Sequence, residues 1–225
     1  MPAFRGKDPW TAVEPVQVIV EGPDDQMALD VLAAQLRARG QDVVPFDVQC
    51  AESQGKIARK LAEFVRTEAF VARVHSLAIV VDADDAPEAA FAAMQEALRG
   101  VGLSAPETTG TWHASSLHGL ARRVRIDLVP AGDRGALETL VLQAVDPEHI
   151  ACVESYLACI QGFGQPAAKH RSKAFVQILA AAKLNDGYMN LGVAIRERVL
   201  SIDHAAFDDL RKLLIELAGD TVNVI

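Results

Sequence analysis

The chain is short of cysteine, of aromatic rings and of positive charge, and each shortage removes a class of function. Three cysteines, Cys50, Cys152 and Cys159, stand among 225 residues. Three cannot pair off and no Cys-x-x-Cys occurs, which excludes a fully paired disulfide framework and the usual cysteine metal knuckle. Cys152 and Cys159 lie seven apart, two turns along one helix face, and this spacing predicts small buried apolar groups. Such usage fits a reduced compartment, and a cytoplasmic location is expected. Aromatics are only 5% of the residues, so Ala, Leu and Val must supply the core of a chain that is 50% hydrophobic. No run approaches the ~20 apolar residues that span a bilayer. The start, Met1 to Trp10, has no apolar segment of the signal-peptide kind, and no membrane is expected.

Positive charge is outnumbered: 22 Lys and Arg face 30 Asp and Glu, a net charge of −8. A protein that grips nucleic acid through a diffuse basic surface shows the opposite sign. Contact with a polyanion must then be local, through a patch or a bound metal. Two basic clusters exist, Arg122, Arg123 and Arg125, then Lys169, His170, Arg171 and Lys173. The first reads as a solvated face with long stems over apolar surface.

What the sequence does have is alternation. Val16 to Val20 is a β-branched strand, followed by a helix from Met27 to Arg39 that Gly40 stops. Val43 to Val48 reads as a second strand, whose Pro45 suits a sheet edge. A helix is predicted over Lys56 to Phe70, and Leu77 to Val81 is the clearest strand of all. Pro87 opens a helix to Leu98, and a strand over Val124 to Val129 precedes a helix from Ala136 to about Ala144. Alternation of this kind predicts an α/β fold with a mostly parallel sheet flanked by helices. From about residue 148 four helices are expected, over 149–160, 172–184, 189–199 and 204–217, with a possible strand at 221–225. The expected organisation is a loose leader over 1–15, an α/β domain over 16–147, and a helical C-terminal region over 148–225 packed on it.

Two of these strands end in acids. Glu21-Gly22-Pro23-Asp24-Asp25 follows the first and Asp82-Ala83-Asp84-Asp85 follows the third. In an open parallel sheet, ligands bind at the carboxyl ends of the strands. With one residue between them, Asp82 and Asp84 are expected on the same side of an extended segment. Close carboxylates repel unless a proton or cation sits among them. Hard oxygen ligands of this type suit Mg²⁺, which takes one or two carboxylates plus water and a phosphate. Acids after strands also serve as helix caps and turn residues, and that reading stands beside the metal for each acid taken singly.

In order and context, Val20-Glu21-Gly22-Pro23-Asp24-Asp25 and Ile79-Val80-Val81-Asp82-Ala83-Asp84-Asp85 resemble the Toprim domain of topoisomerases, primases, recombination mediators and overcoming-lysogenization-defect nucleases. The chain looks closest to the DUF3226 group of small Toprim-like proteins, with Glu-Gly-x-Asp-Asp and Asp-x-Asp-Asp motifs. The stretch Val129-Pro130-Ala131-Gly132-Asp133-Arg134-Gly135-Ala136-Leu137-Glu138 resembles that group's Pro and Gly-x-Leu-Glu. The resemblance implies a Toprim-like Rossmannoid sheet with a C-terminal helical extension. It implies Glu21 as general acid/base or metal-associated carboxylate, and Asp82 and Asp84 as ligands of Mg²⁺ or Mn²⁺, one or two ions. It also implies Asp25 as a second catalytic acid, Glu138 as a ligand completing a second metal site, and a downstream lysine, Lys169 or Lys173, at the scissile phosphate.

The function this implies is Mg²⁺-dependent phosphoryl transfer, a nuclease acting on DNA or RNA, of a kind resembling components of prokaryotic defence. The alternative is a non-catalytic metal- and nucleic-acid-binding module that acts with a partner protein such as an ATPase, or as a homo-oligomer. Other constellations carry less. A haloacid-dehalogenase motif would need Thr or Val where Ala86 stands and leaves Glu21 unexplained. Tyr156 and Tyr188 sit in ordinary helical contexts, against a topoisomerase nucleophile. His113 and His118 read as loop or packing histidines, Gly162-Phe163-Gly164 lacks a following Lys-Ser/Thr, and Ser115-Ser116 lacks a nucleophile elbow.

Overall fold

Apolar β-branched runs buried on both faces make the centre of this protein. The computed structural model describes residues 10–160, 171–184 and 191–217. The strands are β1 (Val16–Val20), β2 (Asp47–Cys50), β3 (Ser76–Asp82), β4 (His113–Leu117) and β5 (Leu120–Val129). They form one sheet in the order β2-β1-β3-β5-β4, parallel except for the β4–β5 pair. Around it lie α1 (Pro23–Ala38), α2 (Gln54–Phe64), α3 (Glu68–Arg73), α4 (Pro87–Gly100) and α5 (Leu137–Gln143). They are followed by α6 (Pro147–Cys159), α7 (Arg171–Leu184), α8 (Leu191–Arg196) and α9 (Asp208–Glu216). The α/β class read from the sequence is therefore the class observed.

Side-chain alternation divides the core in two. Val16, Val18, Val20, Ala78, Val80 and Val129 face α1 and the C-terminal helices. Ile19, Leu77, Ile79, Val81, Ile126 and Leu128 face α2, α3 and α4. The chain leaves β1 over one face of the sheet through α1, and leaves β3 over the other through α4. The crevice between the carboxyl ends of β1 and β3 is thus the topological switch point of the sheet.

Several elements depart from the sequence reading, each for a local reason. The helix expected over Lys56 to Phe70 is two: Thr67 accepts a hydrogen bond from Phe70 N–H through its hydroxyl and caps α3 as a new helix. The second strand begins only at Asp47, beyond Pro45, and is an edge strand as its proline suggested. β4 was not expected. It joins β5 through His118 and Gly119, both at positive φ (55° and 76°), a two-residue hairpin turn whose sequence signal is the single glycine. Cys152 and Cys159 are exposed rather than buried, because α6 turns Val153 and Leu157 to the core and leaves both thiols on the outer face.

The arginine cluster also differs from a solvated face. Arg125 is 2% exposed. It donates to both oxygens of Asp127 at 2.7 Å and to Glu216 of α9, and Arg123 donates to Leu217 O at 2.7 Å. The cluster pins the end of α9 onto β5, where cations also meet the negative end of the helix dipole. The basic residues Lys169 and His170, the Gly162–Gly164 stretch, Tyr188 and the possible strand at 221–225 lie outside the described residues. Among the described residues no helix is long and apolar enough to cross a membrane.

Candidate metal centre

Backbone geometry at the switch point brings the sequence-predicted acids together. Glu21 directly follows β1, and its two carboxylate oxygens accept from two other elements: Oε1 from Asp82 N–H at 3.0 Å, Oε2 from Gln54 N–H at 3.2 Å. Asp25 sits in the first turn of α1, where its Oδ2 accepts from Gly22 N–H at 2.8 Å. Pro23 opens that helix without needing a donor, so the acids of its first turn lie at the positive end of the helix. Asp82 ends β3, and its Oδ1 accepts from Leu137 N–H, the first amide of α5, at 3.2 Å. Glu138, one residue on, meets Lys173 Nζ of α7 at 3.8 Å.

Asp84 behaves differently from the extended segment expected for it. Its φ is +48°, and it forms a two-way bridge with Gly135 (Asp84 N to Gly135 O 2.6 Å, Gly135 N to Asp84 O 2.8 Å). The turn that this bridge imposes takes Asp84 out of the strand register shared by Asp82, leaving it exposed at the mouth of the site. Gly135 is required there. Its φ is +135°, and a Cβ would lie 2.3 Å from Thr139 Oγ1, the atom that accepts from Ala136 N–H at the start of α5. One bridge therefore holds the β3–α4 loop against the β5–α5 loop, with Asp82 just before the first and Glu138 just after the second.

Crowding is visible in the acidities. Burial, then the charges of Asp25, Glu21 and Glu138, push Asp82 up to about 9, against the partial relief of the Leu137 amide. Burial pushes Asp25 up to about 7, opposed by the Gly22 amide and reinforced by Glu21, Glu138 and Asp24. Glu21 is also raised, by burial and the charge of Asp84, against the amides of Asp82 and Gln54. These carboxylates feel one another, yet among the described residues no three His, Cys, Asp or Glu side chains stand ready to hold a metal ion as placed. Both oxygens of Glu21 and one each of Asp25 and Asp82 accept from backbone amides. In donor chemistry the set fits a hard divalent cation, since it is all carboxylate oxygen.

A cavity of about 630 Å³ opens beside these acids, lined by Asp82, Asp84 and Glu138 together with Gln54, Thr139 and Lys173. Of the two lysines singled out in the sequence, Lys173 thus reaches the site. Gln54 and Thr139 were not foreseen: they stand in no motif, and only their positions at helix starts bring them here.

The family model described as "Protein of unknown function (DUF3226)" matches residues 15–219. No curated protein and no solved structure matches the chain.

Proposed function

This chain belongs to the DUF3226 family, and from that footing we propose that it is a Mg²⁺- or Mn²⁺-dependent phosphoryl-transfer enzyme, a Toprim-type nuclease hydrolysing phosphodiester bonds. The observation that carries the reading is the convergence of Glu21, Asp25, Asp82 and Glu138 at the switch point, with Asp25 and Asp82 raised by burial and by the charges of neighbouring carboxylates. Such a cluster is unfavourable unless a proton or a cation is shared within it. A divalent ion there would supply the positive charge that an acidic protein otherwise lacks for meeting a phosphodiester.

Asp82, Asp84 and Glu138 would hold the cation, through carboxylate oxygens not committed to amides. Bound there, the ion supplies charge neutralisation of the phosphate and a more acidic water. Glu21 and Asp25 would take the proton from the attacking water. Asp25, held near neutrality, is suited to gain or lose a proton at working pH. Lys173 is exposed and, among the described residues, ion-paired with Glu138 alone, so it can shift to a phosphate oxygen once Glu138 turns to the cation. The water oxygen then bonds to phosphorus as the sugar oxygen leaves.

A second reading has its own observation. Glu21 has both oxygens satisfied by backbone amides, the pattern of a structural carboxylate that ties β3 and α2 to β1. This favours a non-catalytic, metal-binding module that works with a partner protein. Purified protein with Mg²⁺ or Mn²⁺ and labelled DNA and RNA separates the two. Cleavage that is lost in Glu21→Ala and Asp82→Ala supports the enzyme. Metal binding without cleavage, with Glu21→Ala lowering only stability, supports the module.

A further inference from the structure

The cavity beside the acids is larger than an ion and a phosphate require. It encloses about 630 Å³, whereas an octahedral ion with its waters fills only ~200 Å³ at ~30 Å³ per water. Part of the remainder is walled by methyl groups: Ala83, Ala86, Ala89, Ala90 and Ala136. Ala86, Ala89 and Ala90 are spaced three and four apart at the start of α4, so they share one helix face. Ala86 and Ala89 are exposed while Ala83 and Ala90 are buried beneath them. The result is a shelf of methyl groups on the cavity wall, with Asp85 lining the cavity beside it.

Gln54 adds a polar edge. Its side-chain Nε2 is shielded from solvent and has no hydrogen-bond partner among the described residues. A shielded, unpaired donor is costly and rare in folded proteins. Here it belongs to a residue that lines the cavity and whose own backbone N–H holds Glu21. A ligand acceptor in the cavity would relieve it. Ser172 and Lys173, in the first turn of α7, add a hydroxyl and a cation on the same lining.

A flat apolar face, an acceptor on its edge and an anionic group near the acids are together the features of a nucleotide. A base inside a duplex presents no free face, so only an unpaired one could use the shelf. Nor does the sequence supply the basic, aromatic-studded groove that tracks a long single strand, with aromatics at 5% and a net charge of −8. We infer that the cavity takes one unpaired nucleotide of the substrate strand, its base on the alanine shelf and Gln54 Nε2 donating to a base acceptor. The inference rests on the phosphoryl-transfer reading and narrows its substrate to single-stranded or frayed nucleic acid. Gln54 is then a specificity residue. Its backbone contact to Glu21 survives any substitution except proline, which separates the side-chain role from the structural one.

The test measures binding of a short fluorescein-labelled oligonucleotide, as DNA and as RNA, single-stranded or annealed, by anisotropy with Ca²⁺ in place of the catalytic ion. Single strands should bind roughly tenfold tighter than the duplex, the equivalent of about one good hydrogen bond to a desolvated group. Gln54→Ala and Ala89→Phe should each remove most of that preference while Mn²⁺ binding and the melting temperature stay unchanged. Preference for DNA over RNA, or the reverse, names the source of the nucleotide. Equal binding of single strand and duplex, or full preference retained in both variants, overturns the inference. Metal-dependent cleavage confined to duplex overturns it as well, yet leaves the nuclease reading standing. Absence of binding to any nucleic acid overturns both.

Discussion

Asp82→Asn removes one negative charge from the crowded site, keeps nearly the same shape and keeps an acceptor for the Leu137 amide. The carboxyl titrates near 3.8 when the chain is unfolded and is pushed up to about 9 in the fold. Between those values the folded state binds more protons than the unfolded one, so stability falls as pH rises through that window. Each unit of displacement corresponds to ~1.4 kcal/mol. The full displacement would amount to ~7 kcal/mol, an upper bound for a side chain partly open to solvent whose repulsion is shared with Asp25, Glu21 and Glu138. About a third of it, ~2 kcal/mol, is the gain expected for apo Asp82→Asn at pH 8, and much less at pH 5. For a chain of this size that is a rise of roughly 4–8 °C in melting temperature. Calorimetry or dye-monitored melting at both pH values, with chelator and then with Mg²⁺, reads it. Mg²⁺ should raise the melting temperature of the unmutated protein and leave Asp82→Asn nearly unmoved. A variant that melts lower than the parent at pH 8, or gains equally at both pH values, refutes the crowding argument.

Other perturbations address the frame. Gly135→Ala places a Cβ against Thr139 and strains a backbone at φ +135°, and should lower unfolding free energy by about 2–3 kcal/mol in urea titration; a loss below ~0.5 kcal/mol would contradict the bridge to Asp84 as a clamp. Arg125→Ala leaves Asp127 buried without its partner and frees Glu216, and should cost about 3–5 kcal/mol, with Arg125→Met/Asp127→Leu recovering most of it. Lys173→Ala removes the partner of Glu138 at an exposed ammonium; stability should change by less than ~1 kcal/mol, while nucleic-acid cleavage falls at least tenfold. Equal activity with and without Lys173 would return that lysine to the role of a surface ion pair.

The parts of the fold legible in the sequence were those with redundant signals. The run Leu77–Val81 is apolar at every position, and Val16–Val20 at every position but Gln17, because both faces of a parallel strand are buried, and they could hardly be misread. Acids placed directly after them marked the switch point for the same reason. What the sequence concealed was decided by tertiary contact. β4, with His113, Ser115 and Ser116, has no hydrophobic alternation to betray it and exists because β5 offers an edge. Arg125 looks like any surface arginine until Asp127 and Glu216 close around it. Asp84 looks like an extended residue in the register of Asp82 until the bridge to Gly135 turns its backbone and sets it at the mouth of the site. Gln54 holds Glu21 through its backbone amide, a group every residue type but proline carries, so no residue pattern could have named it.

The most direct test of the central claim is a calorimetric titration of Mn²⁺ and Mg²⁺ into the chelator-treated protein at pH 8, repeated with the Asp82→Ala/Asp84→Ala double variant. The account predicts saturable binding of one or two ions to the unmutated chain, weakening as pH falls from 8 through the raised acidity of Asp25 and protons compete more strongly for the site. It predicts loss of that binding in a double variant that still folds. Absence of binding to the unmutated protein, or undiminished binding in the double variant, would contradict it.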